Sequence, residues 1–408
     1  MNVGYESRMR IIVIGGGVVG VTSAYWLRLA GHEVAIIEQD IGAGRGVSAG
    51  NGGQLSYAYV EPLAGPDLWA KLPSILLGLD GAVRMRPDLS LDSLRWGVSF
   101  LRHCVGKRQA DSLKALLVLA AESHRALAEL LSDVPLEFDY AAAGKLILYR
   151  DAKALEEADR LAEIKRRYGF RIETLDRARC LALDPALGRY RNPFAGGIYA
   201  PEDAAGDCGL FTRGLYDYLG AAMGVETHSA TRVAHLLARG GRVVGVALDT
   251  GQALADAVVL ANGTDAKRLA ATVGLKLLIE PVKGYSITAP ARPEAPVVSL
   301  TDRAEKIVFA RLGGRVRAAA FADLDGWSPA ANPKRAQQLL ALVRHLFPAA
   351  ASWDQAEPVW AGQRPMTPSG VPLIGESGVP GLYLNAGHGG LGWTLACGAG
   401  KRLAGMIG

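Results

Sequence analysis

Residues 10–38 read RIIVIGGGVVGVTSAYWLRLAGHEVAIIE, and the order of residue types in this stretch decides the fold class. Arg10 to Ile14 is a short apolar run suited to a buried strand. Val18 to Leu29 carries helical periodicity, Gly31 is placed to end that helix, and Glu33 to Glu38 is a second apolar strand. The turn between strand and helix, Gly15-Gly16-Gly17-Val18-Val19-Gly20, matches G-x-G-x-x-G. Gly15 permits the tight turn, Gly17 lets backbone approach a pyrophosphate, and Gly20 lets the helix pack on the sheet. At Val18 and Val19 the helix start offers unpaired N–H groups and a partial positive charge to an anion. Glu38, ending the second strand, is placed to accept hydrogen bonds from ribose hydroxyls and to repel a 2′-phosphate. We expect a Rossmann-like unit that binds a dinucleotide; the fingerprint by itself does not separate FAD from NAD.

Outward from this unit, residues 41–66 are rich in Gly, Ser and Ala without periodicity and form a long loop. Residues 67–133 are largely helical, with Leu and Ala at helical spacing from Ser112 to Leu131. From Gly224 to Leu260 short strands alternate with turns, Gly240-Gly241 marking a hairpin. Further strands are expected at 278–289, 306–311 and 315–320, then a helix from Asn332 to Phe347. The chain closes with a strand at Leu382 to Asn385, a glycine loop, and a helix from Leu391 to Ile407. Nucleotide-binding elements thus recur at the start, middle and end. The expected fold is α/β (α+β mixed): a Rossmann-like domain over 1–88, 205–275 and 358–408, interleaved with a substrate domain of antiparallel sheet plus helices over 89–204 and 276–357.

Composition is that of a globular protein, with 50% hydrophobic and 21% charged residues in 408. The net charge of +5 is spread along the chain, without runs that argue for nucleic acid. Cys104, Cys180, Cys208 and Cys397 show no pairing and no His at ligand spacing, so no metal is expected and a reducing compartment is. The apolar run after MNVGYESRMR is too short and Gly-broken for a signal peptide, and no 20-residue apolar stretch lacks charge. A cytoplasmic location is expected.

Two more glycine loops, RGVSAGNGGQLS at 45–56 and GHGGLGWTL at 387–395, offer backbone donors, and the second opens into the last helix. With EDAAGDCGLFT at 202–212, PVKGYSIT at 281–288, QRPMTPSGVPLIG at 363–375 and NAGHGGLGWTLACGAG at 385–400, the chain resembles the D-amino-acid dehydrogenase small-subunit family, within the D-amino-acid oxidase superfamily. That resemblance covers almost the whole chain. It implies extended FAD, with Ser48, Asn51, Gly52, Gly53, Gln54 and Leu55 along the ribityl chain and flavin. It further implies backbone contacts from Val233 to adenine, a loop of Ala261, Asn262 and Gly263 beside the dinucleotide, and Gly389, Gly390, Leu391, Gly392, Trp393 and Thr394 around the pyrimidine end of the flavin. Related sarcosine-type oxidases carry a flavin-linking cysteine beside the position of Arg364; Pro365-Met366 stand here, which implies non-covalent FAD. The family also carries a tail after the last helix.

The implied activity is hydride removal from the α-carbon of a D-amino acid to flavin N5. The imino acid hydrolyses to a 2-oxo acid and ammonia, and the electrons pass to a quinone or other carrier. The neutral amine drives hydride departure, so the protein must orient substrate, neutralise its carboxylate and exclude water. Arg364 is our choice for the carboxylate, its planar fork gripping both oxygens. Tyr285 is a candidate for bonding the carboxylate or covering the site, His388 for tuning the flavin, Tyr57 and Tyr59 for lining the pocket, and Lys283 for a flavin or carboxylate neighbour. Residues 68–108 combine Leu68, Trp69, Ile75, Leu76, Leu77, Trp96, Phe100 and Leu101 with Lys71, Arg84, Arg86, Arg95, Arg102, Lys107 and Arg108. They form either a peripheral face on the inner side of the cell membrane for reaching a quinone, or an ordinary shell helix. Two other readings stay open: an oxidase or dehydrogenase of glycine, sarcosine, proline or hydroxyproline, and a non-catalytic FAD subunit.

Overall fold

The 10–38 stretch folds as its pattern requires. In the computed structural model, which describes residues 8–65, 73–75, 80–86 and 90–408, Arg10–Ile14 and Glu33–Ile37 pair in parallel around the helix Val18–Leu29. Both strands are buried on four of five positions, the mark of a sheet covered on two faces. The six-stranded sheet runs Leu373–Glu376, Leu382–Ala386, Ala257–Leu260, Arg10–Ile14, Glu33–Ile37, Glu226–His228, parallel except for its first strand. One layer beside it is a three-stranded meander, Val233–Arg239, Arg242–Leu248 and Gly251–Leu254, turned at Gly240 and Gly241.

The last helix, Gly392–Ile407, lies between Val18–Leu29 and Gly106–Asp133. A Cβ at Gly400 would lie 2.8 Å from the Thr22 carbonyl oxygen, and one at Gly398 would lie 2.6 Å from Ser123 N, so glycine sets both crossings. Helix Gly106–Asp133 therefore shares one core with the first sheet: Leu116, Leu117 and Leu127 are buried with Ile11, Val21 and Leu395. The expected placement of 89–204 in the substrate domain is corrected for this helix, whose apolar face covers the nucleotide-binding layer.

The second sheet runs Trp360–Met366, Glu280–Pro290, Arg315–Leu324, Ile307–Leu312, Ser299–Asp302, Lys145–Tyr149, Gly196–Ala200, Glu173–Asp176, with Val83–Met85 added beside Arg315–Leu324. Its pairings are antiparallel save two. The helix Pro333–Leu346 packs behind it, in a core holding Ile287, Phe309, Val316 and Leu339. The expected boundary at 358 is also displaced. Trp360–Met366 is the edge strand of this second sheet, and the chain rejoins the first sheet only at Leu373. Periodicity does not reveal which sheet a strand joins, because pairing is set by distant residues.

Candidate active site

The glycine turns meet along one elongated cavity of about 1530 Å³, bordered at one end by Gly15, Gly17, Val18, Val19, Glu38 and Val233, and at the other by Arg364, His388 and Gly389. At the first end, Gly15 has φ of 109°, and a Cβ there would lie 2.8 Å from Asn262 Cα. A Cβ at Gly20 would overlap the Gly15 carbonyl oxygen; Gly20 does not border the cavity and serves helix packing. The Glu38 carboxylate accepts Gly16 N at 2.5 Å and Asp40 N at 2.8 Å, so it fastens the turn. Burial raises its pKa against those two donors. The helix start has no side-chain cap of its own; Ser48 Oγ accepts Val18 N at 3.0 Å and ties the second glycine loop to it. Ala261, Asn262 and Gly263 border the same groove, where Asn262 Oδ1 is buried without a partner. A Val233 carbonyl already accepts from Arg268 at 3.1 Å.

The loop 50–56 passes beneath the second sheet, meeting a new strand at almost every residue. Gly50 O accepts Ser286 Oγ at 2.8 Å, and a Cβ at Gly50 would run into the Trp360 indole. Asn51 O accepts Arg317 Nη1 at 3.0 Å, while Asn51 Oδ1 accepts Gly53 N at 3.0 Å. A Cβ at Gly52 would sit 3.2 Å from Val308, and one at Gly53 3.0 Å from Leu312. Gln54 Nε2 donates to Leu300 O at 3.0 Å, and its Oε1 accepts Lys145 Nζ at 2.8 Å. Ser56 N donates to Thr394 Oγ1 at 3.1 Å, joining this loop to the third glycine turn.

Several expectations change here. Gly53 and Leu55 do not border the cavity: Gly53 backs onto Leu312, and Leu55 is buried in the first core. Gln54 borders it, but its amide is engaged by the sheet. The Trp393 indole donates to Gly206 O and packs on Phe138 and Phe211, so its side chain belongs to the core. Tyr57 stacks on His124 away from the cavity, whereas Tyr59 borders it. On the strand Glu280–Pro290, alternation turns Gly284 toward Arg364 and Ser286 toward Gly50, and the side chains of Lys283, Tyr285 and Ile287 to the other face, although Tyr285 still borders the cavity. Tyr285 thus packs behind the sheet, its ring edge-on to Phe321 at 6.0 Å and its hydroxyl short of hydrogen-bond geometry with any described group. Lys283 is ion-paired with Asp325 at 3.1 Å. Lys283 does not border the cavity, and Tyr285 borders it with its hydroxyl directed behind the sheet.

Arg364 faces the cavity with one N–H committed, Nη1 donating to Phe321 O at 3.0 Å. Among the described residues no carboxylate lies within 4 Å of it, and burial lowers its pKa while Asp323 opposes the shift. Guanidinium remains the charged form even so. His388 is buried beside it with Nε2 unpartnered, and burial lowers its pKa to about 3, which keeps the imidazole neutral.

Sequence reasoning missed three side chains. Trp360 lies across Gly50 and Gly362, both of which lack a Cβ where the ring passes. Arg317 links Asn51, Thr288 and Asp207. Lys145 is buried at the cavity wall, donating to Gln54 and to Ser56 Oγ at 2.7 Å, with its Nζ 4.5 Å from the Tyr59 ring centroid. Burial pulls its pKa down and pushes that of nearby Asp203 up. A lysine opening the otherwise apolar strand KLILY was the available signal for it.

A family model described as FAD dependent oxidoreductase matches residues 10–406. The D-amino acid dehydrogenase of Paramagnetospirillum magneticum is 42% identical to this chain, covering 98% of it and 95% of the relative. D-amino acid dehydrogenase 2 of Ralstonia nicotianae is 41% identical over 98% and 96%. Among solved structures, glycine oxidase from Geobacillus kaustophilus superposes with a TM-score of 0.75 at 23% identity, over 98% of this chain and 94% of that one. L-proline dehydrogenase from P. horikoshii gives 0.76 at 18% identity, over 98% and 93%.

Proposed function

The chain belongs to the FAD dependent oxidoreductase family, and from that premise we propose that it is a D-amino acid dehydrogenase. It converts a D-amino acid to the imino acid, which hydrolyses to a 2-oxo acid and ammonia, and hands the electrons to a quinone or another carrier. The observation that carries this reading is Arg364, a cation at the cavity wall that no carboxylate of the described chain neutralises.

The residues present fit FAD. Gly15 and Gly17 leave the dinucleotide groove free of side chains, the Val18–Leu29 helix turns its positive end to the same groove, and the buried Asn262 Oδ1 lacks a partner at its edge. Glu38 and Val233 would hold the adenosine end, and Asn51, Gly52 and the backbone of Gly389 to Thr394 the flavin end, without a covalent link beside Arg364. Bound FAD would supply the acceptor for the hydride, which carries both electrons of the substrate Cα–H bond.

The protein's own groups do the rest. The free N–H donors of Arg364 grip the carboxylate and leave the α-carbon one bond away. Gly284 beneath the guanidinium leaves it room to lie flat on the strand. His388, uncharged, adds no competing cation beside the substrate amine. Val282 and Met366, flanking Arg364 on its strand and the next, present apolar surface that keeps water from the reacting carbon.

For the electron acceptor, the helix Leu91–His103 supports a peripheral membrane site. Leu91, Leu94, Val98 and, just beyond, Val105 are exposed at helical spacing, with Arg95, Arg102, Lys107 and Arg108 alongside. Its other side, Phe100 with Gly97 and Leu101, borders the cavity. Leu68, Trp69, Lys71, Leu76 and Leu77 of the expected face lie outside the described residues. No helix among the described residues is long and apolar enough to cross a membrane.

The test is anaerobic bleaching of the flavin band with D- and L-amino acids, glycine, sarcosine and prolines. Bleaching by D-amino acids, reversed fast by a quinone and slowly by air, is the expected result. Bleaching confined to glycine, N-alkyl or cyclic substrates overturns the assignment, and none at all leaves only a non-catalytic flavoprotein.

A further inference from the structure

The carbonyl that holds Arg364 belongs to a residue with a strained backbone. Phe321 has φ of 69°, in the left-handed region that strains a bulky side chain. The strand pairing slips at this point. Lys283 faces Asp323 and Tyr285 faces Ala320, so Phe321 and Ala322 together oppose Gly284. Such a bulge frees a carbonyl from the ladder and re-aims it. Arg364, reaching from the far side of the Glu280–Pro290 strand, lies across Gly284 and donates to the Phe321 carbonyl.

Arg335, on the helix Pro333–Leu346 behind the sheet, holds the bulge in place. It is 1% exposed, and its guanidinium stands 4.1 Å from the Phe321 ring centroid. Its Nε donates to Asp323 Oδ2 at 2.9 Å, its Nη2 also bonds Asp323, and its Nη1 donates to Gly81 O at 2.7 Å. One side chain thereby grips the bulge on both sides of Ala322 and the turn leading to Val83–Met85. A buried pair of this kind adds little net stability over apolar packing, so its orienting effect is what distinguishes it.

We propose that Phe321 is a positioning residue for the substrate: its left-handed backbone, clamped by Arg335 and Asp323, sets the orientation in which Arg364 receives a carboxylate. The inference rests on the reading of Arg364 as carboxylate anchor.

The test uses the FAD-loaded protein and the variants Phe321→Leu, Phe321→Gly and Arg335→Lys. Benzoate, a carboxylate without an amine, is titrated against the flavin absorption band, and KM is compared for a D-amino acid and its uncharged amide. Leucine keeps bulk but loses the ring, so its backbone relaxes and the carbonyl turns away. Glycine loses more packing yet occupies φ near 69° without strain. Phe321→Leu is expected to weaken benzoate about tenfold and raise the KM of the acid similarly, with the amide unchanged. Phe321→Gly should stay within about threefold of the parent, and Arg335→Lys should fall between. A merely structural role predicts the reverse order, glycine worse than leucine, with acid and amide affected alike; that result overturns the proposal. If Phe321→Leu yields no folded protein, an Arg335→Lys variant that binds benzoate like the parent overturns it equally. A parent protein that binds benzoate but is bleached by no D-amino acid sinks the proposed activity, while the benzoate series still decides the role of Phe321.

Discussion

Two of the glycine loops, 15–20 and 50–56, do different work with the same residue type. In the first, the obstacles are backbone atoms of the same layer: Gly15 abuts Asn262 Cα, and Gly20 abuts the Gly15 carbonyl. In the second, the obstacles are side chains from the opposite sheet: Trp360 over Gly50, Val308 over Gly52 and Leu312 over Gly53. The first loop is built to bind and the second to join the binding layer to the layer that carries Arg364. A collision with backbone cannot be relieved by a rotamer change, while one with a side chain can be answered by a second substitution.

That contrast can be broken by experiment. Gly20→Ala should abolish FAD retention or soluble yield altogether, because the Cβ overlaps a carbonyl that cannot move without opening the turn. Purified variant with a full flavin band would dissolve the distinction. Arg364→Ala should keep FAD bound yet lower kcat/KM for D-amino acids about a thousandfold, the order expected when a buried charged hydrogen-bond partner is removed. An unchanged steady-state rate would show that the second layer does not hold the carboxylate.

Acid sensitivity tests the same end of the cavity. The His388 pKa is lowered to about 3 in the folded protein, from a usual value of about 6.5. The unfolded chain therefore binds more protons between those values, and stability falls as pH drops through that window. His388→Gln should remove up to about 2 kcal/mol of the stability lost between pH 6.5 and pH 5, read from denaturant midpoints at both pH values. Parallel losses in parent and variant would mean that the imidazole is not buried as described.

The smallest effect is the most diagnostic. Gly50→Ala should weaken FAD about tenfold, and Gly50→Ala combined with Trp360→Leu should recover most of that loss. Additive losses would place the obstacle in the backbone and make the two loops alike.

Much of this was legible in the chain. The 10–38 unit, the hairpin at Gly240-Gly241 and the last strand-loop-helix follow local rules, and the structure places them where the pattern does. The motif QRPMTPSGVPLIG drew attention to Arg364, which borders the cavity. Lys283 lies off the cavity and Tyr285 reaches it only from behind the strand, since a motif such as PVKGYSIT names neighbours in sequence, while a strand sends alternate residues to opposite faces. Gly53 and Leu55 lie off the cavity because the loop packs them against Leu312 and the first core, contacts the motif itself does not show.

What the sequence determined alone is the nucleotide-binding layer, the need for glycine at its turn, and the kind of chemistry its motifs serve. Those features depend on contacts a few residues apart, whose geometry the peptide bond and side-chain period already restrict. Only the tertiary structure decided that Trp360–Met366 joins the second sheet, that the loop 50–56 runs under its strands, and that Arg364 rests on a left-handed Phe321. These depend on pairings across hundreds of residues, where no local preference selects a partner and close packing of the whole core does.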